Sequence, residues 1–371
     1  MRPDDRDDRA DRDPHGPVAS RRSFLAAGGA ALVAGPALSA LPALIGHAAH
    51  AAPPPAPATA PHGKLAEVAG TEHWPNKLAG NDKVKLFLWR KRLRNPAAGE
   101  GRQGTVLFVH GSSISSTPTF DLQIPGRPEC SAMDWFARKG YDTWCLDCEG
   151  YGRSDKSRPV NADVSSGADD LAAASAYIIK QTGDKPMVYG ESSGGLRAAL
   201  HAQRNPEQVK KLVVDAFVWT GEGSPTLAER RKKLAQYRAN PRRPIDRDFI
   251  RSIFTRDHPG TSDQSIVEAF ADAALALDTS VPTGTYVDMC ANLPLVDPEK
   301  LTVPTLMLRG QFDGIAAFDD LVRFFAKLPN PDKQIAVMPG IAHSSLRAKN
   351  CAIVYHLLDS YFSQPAPAYV G

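Results

Sequence analysis

The alternation of strand-like and helix-like segments constrains the fold of this chain more than any other feature of its sequence. From about residue 64 onward, short apolar runs such as TVLFVHG and KPMVYG are separated by longer segments with helical patterns. A short run that is apolar at every position is typical of a strand buried on both faces. The sequence therefore predicts an α/β fold, in which helices flank a mainly parallel sheet on both sides.

One internal segment interrupts this alternation. Between about 221 and 297 no strand-like run is found, and apolar residues, among them Ile266 and Phe270, recur at helical spacing. We therefore expect a helical cap over 221–297, inserted into a sheet domain formed by 64–220 and 298–371. We also expect Ile266 and Phe270 to line an acyl pocket above the sheet edge.

The N-terminal residues resemble a bacterial export signal of the twin-arginine type. Arg21 and Arg22 precede a mildly apolar run, and the small-x-small sequence AHA ends at Ala51. The resemblance implies a signal peptide over 1–51, recognised by the twin-arginine export machinery, and hence a periplasmic or secreted protein. A Pro/Ala-rich tether over 52–63 follows. An uncleaved membrane anchor is the alternative, although the Ala, Gly and Pro content of the run weakens its preference for a bilayer.

The charge balance of the chain argues against a polyanionic partner. The 371 residues carry a formal net charge of +3. The first 51 residues hold six arginines and six aspartates, so cleavage of the signal would leave that value unchanged. We therefore expect no nucleic-acid partner. The sequence leaves the oligomeric state open.

Five cysteines are present, and none of them predicts a metal site. Cys145 and Cys148 have C-x-x-C spacing, but they lie in a predicted strand, where residues three apart point to opposite faces. Buried thiols are therefore expected there. An oxidising compartment would permit a disulfide among Cys130, Cys290 and Cys351, with the pairing left open.

The run GESSGG places small residues around a hydroxyl where an apolar strand ends and a helix begins. It fits the G-x-S-x-G elbow, in which a tight turn admits only small neighbours and exposes the serine hydroxyl. Ser192 is then the predicted nucleophile. Ser193 is a second hydroxyl, but it takes the position after the nucleophile, where its backbone N–H is the useful group.

A serine nucleophile needs a base and an orienting acid. His343 and Asp313 each follow a predicted strand, and the carboxyl ends of parallel strands meet at the edge where open sheets bind ligands. Asp215, at the end of an earlier strand, is the alternative acid. His110 is a second candidate base, in a position where a turn is expected.

In this order HGSS, DCEGYGRSD, GESSGG, GQFDG and GIAHSS resemble the α/β-hydrolase family of serine esterases, lipases and related peptidases. The resemblance covers nearly all of the chain after the tether and implies the α/β-hydrolase fold. It assigns Ser192 as nucleophile, Asp313 as acid and His343 as base. It also implies an oxyanion hole formed by the backbone amides of Ser112 and Ser193, with no cofactor and no metal.

The sequence thus predicts an exported serine hydrolase that cleaves a small-molecule carboxylic ester through an acyl-enzyme intermediate. An amidase or proline-iminopeptidase-like aminopeptidase on the same triad is the alternative, with Glu191 or the acids of the cap, including Glu222, holding a substrate ammonium group. A non-catalytic binding module of the same fold is the second alternative.

Overall fold

A computed structural model describes residues 66–95 and 103–369 of the chain. The predicted signal peptide over 1–51 and the tether over 52–63 lie outside the described residues. Within the described ranges, no helix has both the length and the apolar character that crossing a membrane requires.

A large sheet with the strand order β1-β4-β6-β5-β7-β8-β11-β12 forms the centre of the fold. The six neighbouring strands β6, β5, β7, β8, β11 and β12 run parallel to one another. In contrast, β4 pairs antiparallel with both β1 and β6. Two short antiparallel pairs, β2 with β3 and β9 with β10, lie outside it. The strand bounds are β1 Val68–His73, β2 Asn76–Ala79, β3 Asp82–Lys85, β4 Phe87–Leu93, β5 Thr105–Val109, β6 Asp142–Asp147, β7 Met187–Glu191, β8 Lys211–Asp215, β9 Arg242–Pro244, β10 Ser280–Pro282, β11 Thr305–Gly310 and β12 Lys333–Met338.

Helices connect the parallel strands and cover both faces of the sheet. The longest, α3, begins where the Asp163 side chain accepts a hydrogen bond from the N–H of Ser166, and it ends at Gly183, which adopts a left-handed conformation. The helix bounds are α1 Ser116–Phe120, α2 Ala132–Arg138, α3 Val164–Thr182, α4 Ser193–Arg204, α5 Pro225–Arg231, α6 Leu234–Ala239, α7 Arg247–Thr255, α8 Gln264–Leu275, α9 Gly284–Ala291, α10 Phe318–Lys327 and α11 Cys351–Ser363.

The central strands are buried on both faces because helices pack on each side. Along β5, Leu107 belongs to the apolar cluster packed against α3 and α4, whereas Phe108 belongs to the cluster packed against α2 and α11. Cys148 belongs to the first of these clusters and Cys145 to the second, so their predicted placement on opposite faces of the sheet is confirmed. The predicted α/β architecture with a mainly parallel sheet is also confirmed.

The helices α5 to α9 lie between β8 and β11 in the chain, and we refer to them as the cap. The expectation that 221–297 contains no strand is wrong, because β9 and β10 pair antiparallel there. Both strands are only three residues long and contain proline. Runs this short show no apolar alternation, so the hydrophobic pattern does not reveal them.

Candidate active site

Ser192 lies on a sharp turn between β7 and α4. Its backbone angles are φ 60° and ψ −124°, with the positive φ that non-glycine residues rarely adopt. A side chain at Gly190 would collide with the backbone of Gly194, and one at Gly194 would collide with the backbone of Val109. Close packing of the backbone therefore holds the strained turn and presents Ser192 at the carboxyl end of the sheet.

The structure brings Ser192, His343 and Asp313 together. His343 follows β12 and Asp313 follows β11, so all three come from the same sheet edge. The Ser192 hydroxyl lies 3.1 Å from His343 Nε2, and His343 Nδ1 lies 3.1 and 3.2 Å from the two carboxylate oxygens of Asp313. These contacts have the geometry of a nucleophile, a base and an orienting acid.

The surroundings of Asp313 stabilise its ionised form. Burial opposes ionisation, but attraction to His343 and hydrogen bonds outweigh it and lower the pKa of Asp313 to about 2. The backbone N–H groups of Ile315 and Ala316 donate to its Oδ1 over 2.8 and 3.1 Å. An ionised acid keeps a proton on His343 Nδ1, which leaves Nε2 free to accept the proton of the serine.

Asp215, the alternative acid, lies at the end of β8 and makes no hydrogen bond to His343 among the described contacts. Its Oδ2 accepts hydrogen bonds from the hydroxyls of Tyr189, at 2.6 Å, and of Ser345. Burial raises the pKa of Asp215 to about 7, although these hydrogen bonds act in the opposite direction. The geometry thus favours Asp313 over Asp215 as the partner of the imidazole.

Ser112 and Ser193 lie in contact beside the nucleophile. The Ser112 hydroxyl donates to the Ser193 hydroxyl over 2.8 Å, and Thr285 from cap helix α9 donates to Ser112 over 2.8 Å. Ser193 begins α4, and no backbone carbonyl of a described residue accepts a hydrogen bond from the N–H of Ser112 or of Ser193. Backbone donors at the positive end of a helix are suited to a developing oxyanion.

His110, the second candidate base, holds a turn instead. Its Nδ1 lies 2.7 Å from the carbonyl oxygen of Gly111, and its Nε2 accepts a hydrogen bond from the N–H of Cys148 over 3.1 Å. Burial and the positive charge of Arg197 lower the pKa of His110 to about 3. Backbone groups occupy both ring nitrogens, so neither is available to Ser192.

The segment 341–348, between β12 and α11, carries His343 and is buried along its whole length. Within it, the Ser345 hydroxyl donates to the carboxylate at the end of β8. The Arg347 guanidinium donates to both carboxylate oxygens of Glu191 on β7, at 2.5 and 2.7 Å. These bonds fix the segment to two central strands and so position His343 relative to Ser192.

Two cavities lie beneath the cap, and Arg230 and Arg256 line both of them. The inner cavity, of about 50 Å³, borders Ser192 and His343, and Phe270 from α8 forms part of its apolar wall. The outer cavity, of about 1030 Å³, lies between the cap and the loop after β11. Phe270 thus lies at the predicted pocket. Ile266 was expected beside it, but it lines another cavity next to Cys130, so that expectation is wrong.

The cap adds an acidic residue that the sequence analysis missed. Asp257, just after α7, has an oxygen within 4.8 Å of side-chain atoms of both Asp313 and His343. It accepts a hydrogen bond from Thr226 Oγ1 at 3.2 Å and lies 3.5 Å from Arg256 Nε. Two carboxylates and an imidazole are possible metal ligands, but a cation bound there would compete with the serine for the imidazole. No local motif marks Asp257, because only the packing of the cap brings it to the base.

A sheet of mostly parallel strands, with a serine at a strand-to-helix elbow and an acid and a histidine at later strand ends, defines a hydrolase of the α/β-hydrolase fold. The chain belongs to the family described as serine aminopeptidase, S33 (Hydrolase_4), whose model matches residues 102–350. The match runs from just before β5 to the start of α11 and includes the cap.

The chain is also similar to individual proteins of known activity or structure. The chain is 26% identical over 263 residues to a 2-hydroxy-6-oxononadienedioate/2-hydroxy-6-oxononatrienedioate hydrolase of Cupriavidus pinatubonensis, covering 66% of this chain and 82% of the relative. A monoglyceride lipase of Saccharomyces cerevisiae superposes with a TM-score of 0.57 at 18% identity, covering 84% of this chain and 98% of the lipase. An esterase of Thermogutta terrifontis gives a TM-score of 0.56 at 19% identity, covering 78% and 97% of the two chains. These structural similarities confirm the predicted α/β-hydrolase fold.

Proposed function

We propose that this hydrolase cleaves a carboxylic ester through an acyl-enzyme intermediate formed on Ser192. The observation that carries the proposal is the hydrogen-bonded connection from Ser192 through His343 to Asp313 at the wall of the inner cavity. In this proposal Ser192 is the nucleophile, His343 is the general base and then the general acid, and Asp313 orients the imidazole.

The reaction proceeds in two halves. His343 Nε2 takes the Ser192 proton as Oγ bonds to the ester carbonyl carbon, and the backbone N–H groups of Ser112 and Ser193 stabilise the oxyanion by roughly 3 kcal/mol each. The ester C–O bond then breaks, and the leaving alcohol receives the proton from His343. In the second half, water loses a proton to His343 and attacks the acyl-enzyme, which releases the acid and restores Ser192. Water is the only co-substrate, and no cofactor or metal is required.

The contacts of the two candidate ammonium ligands support the ester over an aminopeptidase substrate. Glu191 is paired with the buried guanidinium of Arg347, and the exposed Glu222 is paired with Arg323 at 2.8 Å. The Glu191 carboxylate is therefore not free to hold a substrate amine, and Glu222 lines the outer cavity but not the cavity at Ser192. Arg230 and Arg256 line the cavity at Ser192 and would repel an ammonium group.

Labelling with a fluorophosphonate and hydrolysis of p-nitrophenyl esters test the proposal together. We expect the wild-type protein to be labelled and to hydrolyse short-chain esters, with aminoacyl anilides as poor substrates. Ser192→Ala should abolish labelling and lower kcat by about 10⁶, as in other serine triads. Ser193→Ala keeps its backbone N–H and should still be labelled.

Two results would contradict this assignment. Labelling of Ser192→Ala but not of Ser193→Ala would show that the nucleophile is Ser193 instead of Ser192. A wild-type protein that is neither labelled nor active would support the non-catalytic binding module instead.

We also propose that the protein is exported by the twin-arginine machinery and is periplasmic or secreted. The support is the sequence pattern of Arg21 and Arg22 before an apolar run that ends near Ala51. Expression in a bacterium with this export pathway should give exported protein that starts near Ala52, whereas replacement of both arginines by lysine should retain the precursor in the cytoplasm. Intact N-termini in the membrane fraction would indicate an anchor.

A further inference from the structure

Two arginines of the cap stand where the inner and outer cavities meet. Arg230 comes from α5 and Arg256 follows α7, and both line the small cavity at Ser192 as well as the large outer cavity. Any substrate that extends from the nucleophile into the outer cavity passes these guanidinium groups.

The positive charge of this pair is only partly neutralised. The Arg230 guanidinium makes no hydrogen bond or ion pair with a described residue, and it lies over the Tyr286 ring, 4.4 Å from the ring centroid. The Arg243 guanidinium lies over the same ring at 4.2 Å, and among the described residues it donates only to the Ser113 hydroxyl, over 2.7 Å. Arg256 lies 3.5 Å from Asp257 and is also attracted by the charge of Asp313, but its buried Nε lacks a hydrogen-bond partner among the described residues.

The titration behaviour of the neighbouring groups agrees with an excess of positive charge. Burial would raise the pKa of Tyr286, but the charges of Arg230, Arg243 and Arg256 outweigh it and lower the pKa to about 7. Burial, reinforced by repulsion from Arg230, lowers the pKa of Arg256. Cations brought together without enough counter-charge gain stability when an anion binds between them.

We infer that Arg230 and Arg256 form an anion subsite that binds a carboxylate group of the substrate. This carboxylate lies on the part of the substrate that extends from Ser192 towards the outer cavity. The inference deepens the proposed function and rests on it for the reaction. The substrate class is then the half-ester of a dicarboxylic acid. Guanidinium groups suit this role because they pair with both oxygens of a carboxylate.

A matched pair of substrates tests the subsite. Mono-p-nitrophenyl glutarate carries a free carboxylate, and methyl p-nitrophenyl glutarate has the same chain without the charge. We expect wild-type kcat/KM to favour the free acid by roughly tenfold to a hundredfold, mainly through KM. Arg230→Gln and Arg256→Gln should each reduce this preference at least fivefold, and Arg230→Lys should retain part of it because the charge remains.

Arg323→Gln is the matched control. Arg323 also lines the outer cavity, but it is paired with Glu222 and Asp320, so its replacement should leave the preference for the free acid unchanged. An equal loss of preference in Arg323→Gln would overturn the subsite, because general charge attraction would then explain the effect.

Calorimetric titration of the Ser192→Ala protein separates the subsite from the reaction. Glutarate should bind this protein more tightly than dimethyl glutarate, and Arg230→Gln in the same background should remove the difference.

If the wild-type protein hydrolyses both esters equally and glutarate shows no Arg230-dependent binding, the subsite is refuted while the proposed function stands. If neither ester is hydrolysed but Arg230-dependent glutarate binding is found, the proposed function fails and the subsite stands. Tighter binding of inorganic phosphate than of glutarate would overturn the assignment to a carboxylate.

Discussion

At the scale of single residues, Asp313 and Asp215 are two buried carboxylates with opposite titration behaviour. Burial opposes the ionisation of Asp313, but His343 and two backbone N–H groups lower its pKa to about 2. The donors to the Asp215 carboxylate from the described part of the chain are hydroxyls only, and burial raises its pKa to about 7. Surroundings that separate the pKa values of neighbouring acids are typical of active sites.

The first prediction ranks these two residues in catalysis. Asp313→Asn should lower kcat by roughly 10⁴, because an amide no longer holds the proton on His343 Nδ1. Asp215→Asn should lower kcat less than tenfold, because an amide oxygen can still accept from Tyr189 or Ser345. Steady-state kinetics on a p-nitrophenyl ester measures both, and the reverse ranking would assign the acid to β8.

The second prediction concerns the pH dependence of stability. A buried acid whose pKa is raised in the folded state stabilises that state below its unfolded pKa, and this stabilisation is lost as the pH rises through about 7. A rise from 3.8 to about 7 corresponds to roughly 4 kcal/mol. In thermal unfolding from pH 4 to pH 8, the Tm of Asp215→Asn should therefore rise relative to that of the wild type as the pH increases. Asp169 is exposed, so the difference in Tm between Asp169→Asn and the wild type should stay constant over this pH range. A constant difference in Tm for both variants would refute the link between Asp215 ionisation and stability.

The residues that the sequence identified differ in kind from those that it missed. Ser192, Asp313 and His343 each directly follow a strand-like run, so local pattern and sheet topology together place them at one edge. Arg230 and Asp257 lie in helical stretches rich in charge, where exposed and buried charges look alike. Only the packing of the cap on the sheet distinguishes them.

At the scale of elements, the cap helix α9 contacts the loop that carries the proposed oxyanion donor. Thr285 donates to the Ser112 hydroxyl, and the Tyr286 hydroxyl lies 3.3 Å from the Ser113 hydroxyl. A helix of the cap thereby helps to position a backbone N–H that belongs to the sheet domain.

The third prediction tests this contact. Thr285→Val keeps the shape of the side chain but removes the hydrogen bond, which is worth about 1 kcal/mol, so kcat should fall about fivefold with little change in KM. Thr285→Ser restores the hydroxyl and should restore kcat. Equal rates for the valine and serine variants would show that α9 does not influence the oxyanion site.

The fourth prediction concerns acyl length. The inner cavity of about 50 Å³ leaves little room beyond Phe270, and an uncharged acyl chain gains nothing from the arginines that lead to the outer cavity, so kcat/KM should rise over the shortest unsubstituted acyl chains and then fall. Phe270→Ala should move the optimum to longer chains. Ile266→Ala, on the same helix but facing another cavity, should leave the optimum in place. A p-nitrophenyl ester series from acetate to palmitate measures this, and a flat profile in all three proteins would contradict it.

At the scale of the whole molecule, periodicity predicted the sheet and its flanking helices because burial on two faces imposes a continuous apolar pattern on each central strand. The cap obeys no such constraint. The helical spacing of its apolar residues predicts the helices of the cap. The pairing of β9 with β10 and the direction in which Ile266 faces depend instead on how the cap packs.

The buried segment 341–348 gives the catalytic machinery an unusual dynamic character. Loops usually open locally, and their backbone amides exchange with solvent far faster than those of core strands. Here the loop that bears His343 is joined to β7 through Arg347 and to β8 through Ser345. Its amides should therefore exchange deuterium on the timescale of global unfolding, so that His343 is displaced from Ser192 only when the sheet itself unfolds.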